Sequence, residues 1–168
     1  MSELIAESKA IKVLEACRKA GLMLATAESC TGGMISASLT DIAGSSDVVD
    51  RGFITYSNAA KTAMIGVPAA LIDDKGAVSK EVALSMAKGA LKNSDASVSV
   101  AVTGVAGPAG GSDEKPVGLV HIASAIHGKD TILHRECRFG TDKTRAEIRH
   151  LTVLAALDLV LENISEKD

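Results

Sequence analysis

Aromatic side chains are almost missing from this chain of 168 residues, which has no tryptophan, one tyrosine and two phenylalanines. Proteins that bind single-stranded nucleic acid stack the bases on aromatic side chains, so this composition argues against that class. The net charge is −3, without the positive excess that binding to DNA or RNA requires. We therefore expect no nucleic-acid partner and a core built from aliphatic side chains and methionine.

Cysteines are few, and long apolar runs are lacking. Cys17, Cys30 and Cys137 lie far apart and form no CxxC pair, a pattern typical of reduced thiols in the cytoplasm. Charged residues are spread through positions 1–20, which is unlike a secretory signal, and no apolar run is long enough to cross a membrane. The histidines show no metal-ligand spacing. These absences predict a cytoplasmic protein with no membrane partner and no metal site.

The hydrophobic pattern predicts one domain over 1–168, an α/β fold arranged as a three-layer α/β/α sandwich with a mixed, mostly parallel sheet. Helical patterns cover 3–20, 34–39, 58–65, 68–72, 80–92 and 143–163. Strand patterns cover 22–26, 47–56, 97–103, 117–126 and 130–138, and the last two strands should form an antiparallel hairpin.

Particular residues mark the expected ends and irregularities of these elements. Thr31, Asn58 and Ser79 are the expected helix N-caps. Gly52, inside a predicted strand, should mark a bulge or a close approach of the backbone. The tail from Ser165 onward is expected to fray.

A short polar turn joins the first predicted strand to the second helix, in the sequence Glu28-Ser29-Cys30-Thr31-Gly32-Gly33. Ser29 is a candidate nucleophile there, because backbone N–H groups of the turn can stabilise an oxyanion. Cys30 competes for that role, but no histidine lies in a polar cluster to pair with it, and a small buried thiol is the simpler interpretation. The polar residues of the turn are also consistent with helix capping alone.

A second polar turn, Tyr56 to Lys61, follows another predicted strand. Open α/β sheets bind ligands beyond the carboxyl ends of their strands, so the two turns can share one site. Lys61 would then act as the base for Ser29, provided that burial or nearby positive charge lowers its pKa. The alternative is an ordinary solvated lysine. Tyr56, the only tyrosine, would direct its hydroxyl into the same site.

The longest predicted loop, 103–116, is rich in glycine. Its glycines are Gly104, Gly107, Gly110 and Gly111. Glycines let backbone N–H groups approach a ligand closely, although the loop is neither a GxGxxG sequence nor a P-loop, and a flexible surface loop is the alternative. Arg145 and Arg149, four residues apart on one helix face, could hold a phosphate or carboxylate or could be surface charges.

Taken together, these stretches resemble the CinA C-terminal domain family over about residues 5–162. The matching motifs are Thr26 to Gly33, Arg51 to Lys61, Gly76 to Ser79, and Thr103 to Pro108 with Glu114 to Gly118. The chain resembles the stand-alone members, which are nicotinamide-nucleotide amidases and lack an N-terminal molybdopterin-binding-like domain. The resemblance implies hydrolysis of nicotinamide mononucleotide to nicotinate mononucleotide and ammonia, in pyridine-nucleotide recycling and without a cofactor.

By position in these motifs, the resemblance implies that Ser29 is the nucleophile, Lys61 the base and Tyr56 a further catalytic residue. The implied substrate-binding residues are Glu28, Thr31, Gly32, Gly33, Thr103, Gly104, Gly107 and Arg145. Two alternatives stay open: a non-catalytic nucleotide-binding module of the competence/damage-inducible CinA type, and an oligomerisation domain. We expect a homo-oligomer that packs through the apolar helices over 80–92 and 143–163, with a small nucleotide as its ligand.

Overall fold

The computed structural model describes residues 1–166 and contains five strands and six helices in that range. The strands are β1 (Leu24–Glu28), β2 (Val49–Ile54), β3 (Val98–Gly104), β4 (Leu119–Ile126) and β5 (Leu133–Arg138). The helices are α1 (Ser2–Ala20), α2 (Met34–Thr40), α3 (Asn58–Ile65), α4 (Ala69–Lys75), α5 (Lys80–Lys92) and α6 (Arg145–Ser165). A single 3-10 turn covers Ser45–Asp47.

The five strands form one mixed sheet in the order β2-β1-β3-β4-β5. β1 pairs in parallel with both β2 and β3, whereas β4 is antiparallel to its neighbours β3 and β5. β4 therefore runs against the other four strands. Because β1, β2 and β3 point the same way, their carboxyl ends meet at one edge of the sheet. The turns that follow these three strands are thereby brought side by side.

Alternate residues of each strand face opposite sides of the sheet, and each side has its own apolar core. Val98, Val100 and Val102 of β3 pack with residues of α1, α2 and α6. Ala101 and its neighbours on the other face pack with residues of α3, α4 and α5. Helices thus cover both faces, which confirms the α/β class and the three layers.

The end of β1 differs from its predicted position in a way that matters for the site. The strand continues to Glu28, beyond the predicted end at Thr26, because its last residues pair with both β2 and β3. The prediction that Thr31 caps α2 is wrong. Gly33 is the N-cap, with a left-handed φ of 101°, and the Thr31 hydroxyl instead donates a hydrogen bond to Glu28.

Other predicted features divide between confirmed and wrong. Ser79 caps α5, as predicted, and α5 has the predicted bounds. Ser57, not Asn58, caps α3, because its hydroxyl accepts a backbone hydrogen bond of 3.0 Å. Gly52 marks a close approach, since a Cβ there would lie 2.3 Å from Ser36 Oγ.

The C-terminal elements follow the predicted order with shifted ends. β4 and β5 form the predicted antiparallel pair, but they begin at Leu119 and Leu133, later than expected. α6 begins after the cap Thr144 and continues to Ser165. Ser165 therefore belongs to the helix and not to the predicted frayed tail. Positions 167–168 of that tail lie outside the described residues. None of the helices in 1–166 combines the length and the apolar character needed to span a membrane.

Gly89, in the middle of α5, lets α3 lie directly against this helix, and a Cβ at Gly89 would be 2.0 Å from the carbonyl oxygen of Ile65. Alanine is preferred to glycine inside a helix by about 1 kcal/mol. We nevertheless expect Gly89→Ala to lower the free energy of unfolding by about 1–3 kcal/mol, because the added methyl meets rigid backbone. Urea denaturation measures this difference.

The matched control is Lys88→Ala at the exposed neighbouring position of the same helix. Its free energy of unfolding should stay within about 0.5 kcal/mol of the wild type. Equal stability of Gly89→Ala and wild type would contradict the close contact between α5 and the end of α3.

Candidate active site

Ser29 and Lys61 meet at the carboxyl edge of the sheet. Ser29 is the first residue after β1, and Lys61 projects from α3, which follows β2. The Lys61 Nζ donates a hydrogen bond of 3.0 Å to Ser29 Oγ. Lys61 is only 1% exposed and Ser29 9%, so the alternative of a solvated surface lysine is excluded. The structure therefore brings the predicted nucleophile and the predicted base into direct contact.

The surroundings of Lys61 are polar but uncharged. Besides Ser29, its Nζ donates to the backbone carbonyls of Thr55 at 2.9 Å and Tyr56 at 3.3 Å. Burial lowers the pKa of Lys61, because an ammonium removed from water is penalised and no carboxylate is among its hydrogen-bond partners. A neutral amine has two N–H donors and one lone pair. In the neutral state the two carbonyls can accept both donors, and the hydrogen bond with Ser29 reverses, so that the Ser29 hydroxyl donates to the lone pair of Nζ.

Glu28 holds the turn that carries Ser29. Its side chain is fully buried, and the two carboxylate oxygens accept five hydrogen bonds. These come from Thr31 Oγ1 at 2.6 Å, the Ile35 N–H at 2.8 Å, the N–H and hydroxyl of Ser36 at 3.0 Å each, and Thr26 Oγ1 at 3.4 Å. Glu28 thus satisfies the first free N–H groups of α2 and fixes that helix against the end of β1.

Two backbone N–H groups of the turn are used inside the protein, and three others are available to a ligand. Ser29 N–H donates to the Val102 carbonyl and Gly32 N–H donates to the Ser29 carbonyl, each at 3.1 Å. Within residues 1–166, the N–H groups of Cys30, Thr31 and Gly33 donate to no acceptor. The left-handed φ angles of Gly32 and Gly33, 57° and 101°, produce this arrangement of the chain.

Cys30 is disfavoured as the nucleophile by its surroundings. Its side chain is buried and belongs to the apolar core beneath the turn. Burial raises the pKa of the Cys30 thiol to about 11, so the thiolate is scarce at neutral pH. This agrees with the simpler interpretation from the sequence, a small buried thiol.

Arg145 links two predicted site residues. Its guanidinium donates 2.8 Å hydrogen bonds to the Tyr56 hydroxyl and to the Gly107 carbonyl. Tyr56 is 60% exposed, so its ring is accessible to solvent while its hydroxyl is held by Arg145. Arg145 therefore ties the turn after β2 to the glycine-rich loop.

Arg149 does not extend toward a separate anion site. Its Nε donates to the Cys30 carbonyl and its Nη2 to the Thr31 carbonyl, each at 3.0 Å. All four acceptors of Arg145 and Arg149 are uncharged oxygens. Neither guanidinium charge is paired with a carboxylate by these hydrogen bonds.

Thr103 and Gly104 are engaged within the protein at the end of β3. The Thr103 hydroxyl, almost fully buried, donates a 2.8 Å hydrogen bond to the Ala77 carbonyl, which anchors the segment before α5. A Cβ at Gly104 would lie 2.6 Å from the side chain of Val120, so only glycine fits there. Both residues lie at the same sheet edge as Ser29, and their substrate contacts stay a prediction.

Thr55 was missed by the sequence reasoning, although its carbonyl holds Lys61. It is fully buried, and its N–H donates to the Glu28 carbonyl at 2.9 Å. Its hydroxyl has no hydrogen-bond partner among the described residues. Its position immediately before Tyr56, at the end of a strand pattern, was the available signal.

In the described range, no three His, Cys, Asp or Glu side chains form a group that could hold a metal ion.

The sequence profile of the CinA C-terminal domain matches residues 6–164. The chain belongs to the CinA C-terminal domain family. Curated relatives include a CinA-like protein of Synechococcus sp., 49% identical over 154 residues, which cover 92% of this chain and 36% of the relative. A CinA-like protein of Geobacter sulfurreducens is 48% identical over 141 residues, covering 84% of this chain and 33% of that protein. The chain spans about a third of the length of these curated relatives.

Solved structures of CinA proteins have the same fold. The competence/damage inducible protein CihA from Agrobacterium tumefaciens is 51% identical, with a TM-score of 0.91 and coverage of 94% of each chain. A competence-damaged protein (CinA) superfamily protein from Escherichia coli is 31% identical, with a TM-score of 0.84, covering 96% of this chain and 90% of that one. The family predicted from the motifs is therefore confirmed.

Glu28→Gln should destabilise the protein. An amide group cannot accept at both ends, so at least one buried donor of the turn loses its partner. We expect the free energy of unfolding to fall by about 2–3 kcal/mol, measured by urea denaturation. Glu147→Gln is the control, because Glu147 also accepts hydrogen bonds at a helix start but is exposed. Its cost should stay below about 1 kcal/mol; equal losses would contradict the role assigned to Glu28.

Lys61 should also make stability depend on pH. Burial lowers the pKa of Lys61 in the folded protein below the ordinary 10.5. Between the lowered value and 10.5, the folded protein binds fewer protons than the unfolded chain, so this contribution to stability rises with pH. Lys61→Met lacks it. The Tm of the wild type minus the Tm of Lys61→Met should therefore increase as pH is raised towards 10.5; a constant or decreasing difference would contradict the lowered pKa.

Proposed function

We propose that this chain is an amidohydrolase that converts nicotinamide mononucleotide to nicotinate mononucleotide and ammonia. The observation that carries the proposal is the 3.0 Å hydrogen bond between Lys61 Nζ and Ser29 Oγ, in surroundings that favour a neutral amine. A neutral lysine beside a serine hydroxyl can act as the general base that activates the serine in place of a histidine. The proposed setting is pyridine-nucleotide recycling in the cytoplasm.

The first half of the reaction forms an acyl-enzyme. Neutral Lys61 accepts the proton of Ser29, and Ser29 Oγ attacks the carboxamide carbon of the substrate. Negative charge then develops on the carboxamide oxygen. The unused N–H groups of Cys30, Thr31 and Gly33 are the candidate donors to that oxyanion. Protonated Lys61 returns its proton to the amide nitrogen, the carbon–nitrogen bond breaks, and ammonia leaves.

The second half regenerates the enzyme. Neutral Lys61 takes a proton from a water molecule, and the resulting hydroxide attacks the acyl carbon. The bond to Ser29 Oγ breaks, Lys61 gives the proton to Ser29, and nicotinate mononucleotide leaves. Because both halves need neutral Lys61, kcat/KM should rise as pH increases through the lowered pKa of Lys61.

The charges around the site support a phosphorylated substrate. The guanidinium groups of Arg145 and Arg149 are bonded only to uncharged oxygens, so an anionic group nearby would be stabilised. Tyr56, largely exposed beside Arg145, offers an aromatic face to a planar pyridine ring. These features suit a nucleotide with a carboxamide better than a free neutral amide.

Ser29→Ala should lower the rate of ammonia release from nicotinamide mononucleotide by on the order of 10⁴-fold or more, because the nucleophile is removed. Lys61→Arg should be inactive as well, since a guanidinium cannot act as a neutral base near neutral pH. A coupled assay for ammonia measures both rates.

Cys30→Ala is the matched control, one residue from the proposed nucleophile, and it should keep its rate within about tenfold of wild type because its thiol stays protonated. Near-normal activity of Ser29→Ala, or full activity of Lys61→Arg, would overturn the scheme. Binding of the nucleotide without any ammonia release would support the non-catalytic nucleotide-binding module instead.

A further inference from the structure

We propose that Arg149 is a positioning residue of the nucleophile turn: it fixes and polarises the Cys30–Thr31 peptide so that the Thr31 N–H is presented to the oxyanion. The inference rests on the proposed function in taking Ser29 as the nucleophile. It adds a role for an arginine whose side chain acts through the backbone of the turn.

The contacts of Arg149 are directed at the backbone. Its planar guanidinium donates from Nε to the Cys30 carbonyl and from Nη2 to the Thr31 carbonyl, both at 3.0 Å. Two successive carbonyl oxygens thus lie toward α6. A fork of two donors fixes their direction better than a single ammonium would.

The orientation of two peptide groups follows from these contacts. A trans peptide is planar, with its carbonyl and its N–H pointing in opposite directions. Because the Cys30 carbonyl lies toward Arg149, the N–H of Thr31 must point away from α6. The same reasoning applies to the next peptide, whose N–H, on Gly32, donates to the Ser29 carbonyl at 3.1 Å. Like the N–H groups of Cys30 and Gly33, the Thr31 N–H has no acceptor within the described chain, so it is free to bind a ligand.

The positive charge of Arg149 also strengthens this donor. A hydrogen bond from a charged group polarises the peptide that accepts it, and the N–H at the other end becomes a better donor. The charge of Arg149 is not shared with a carboxylate, because both of its acceptors are carbonyls. Its charge therefore acts on the turn through these two hydrogen bonds.

The helix that carries Arg149 is well fixed. α6 starts with a capping box between Thr144 and Glu147, and Ile148, directly before Arg149, is fully buried in the core. One turn earlier, Arg145 holds Tyr56 and the glycine-rich loop. The two arginines thus bind different segments. Arg145 binds Tyr56 and the glycine-rich loop, and Arg149 binds the turn that carries the nucleophile.

The test separates the chemistry of Ser29 from the amount of folded protein. An alkyl fluorophosphonate reacts with an activated serine: a bond forms between Ser29 Oγ and phosphorus, the phosphorus–fluorine bond breaks, fluoride leaves and the serine proton passes to Lys61. The final extent of labelling, read by intact mass, counts competent molecules, and the rate of labelling reports how well the developing charge is stabilised. Ammonia release from nicotinamide mononucleotide is measured in parallel.

In Arg149→Gln we expect complete final labelling but a labelling rate and a kcat lowered on the order of 10- to 100-fold, with KM within about twofold of wild type. Added guanidinium ion should restore part of the rate. Arg149→Lys should fall between the two, because a lysine cannot hold both carbonyls in one plane. Arg18→Gln is the matched control: Arg18 also donates to a loop carbonyl, that of Gly44 at 2.9 Å, but in a different turn, and its rates should match wild type.

Labelling of Arg149→Gln at the wild-type rate would overturn the proposal, and so would a loss explained entirely by a lower final extent of labelling. A wild-type protein that is labelled at Ser29 but releases no ammonia would overturn the proposed function alone, and the labelling rates would still decide the role of Arg149. A wild-type protein that is not labelled at Ser29 would overturn both.

Discussion

The structure depends on one unusual placement, a lysine amine buried without a counter-charge. Lys61 is held by a hydroxyl and two carbonyls, so its hydrogen-bonding capacity is satisfied while its charge is not. This combination is costly for a folded protein, because a charged amine in a low-dielectric site is penalised. The surrounding elements hold the amine in place. Thr55 and Tyr56, the two residues that follow β2, supply the carbonyls, and α3, which carries Lys61, packs on α5 at Gly89.

Two groups of hydrogen bonds hold the turn at the same edge of the sheet. Glu28 gathers hydrogen bonds from the start of α2 and from β1 on one side of the turn. The arginines of α6 bind backbone carbonyls and the tyrosine hydroxyl on the other side. Neither group of contacts involves an exposed ion pair of the kind that contributes little. The turn is therefore held in place by contacts within the protein, without the help of a ligand, and preorganised stabilisation of charge requires such a support.

The sequence predicted the elements and the pairing of Ser29 with Lys61 because both depend on local patterns. Strand and helix periodicity is local, and the parallel strand ends that join the two turns follow from the alternation of elements. The roles of Glu28 and Arg149 could not be obtained in that way. Their hydrogen-bond partners depend on the three-dimensional course of the turn. Thr31, for example, lies 118 residues before Arg149 in the sequence, so no local pattern connects the two. The caps at Thr31 and Asn58 were wrong for a related reason, since another capping residue lies one or two positions away in each case and only the geometry chooses between them.

Tyr56 gives the protein a property that follows from the scarcity of aromatic residues. With no tryptophan and a single tyrosine, nearly all of the intrinsic fluorescence of the chain originates at one phenol ring. That ring is largely exposed, its hydroxyl is bonded to Arg145, and the carbonyl of the same residue holds Lys61. Any ligand that covers the ring or displaces the guanidinium changes the emission of the whole molecule. The protein therefore carries its own optical probe of occupancy, without a label and without background from other positions.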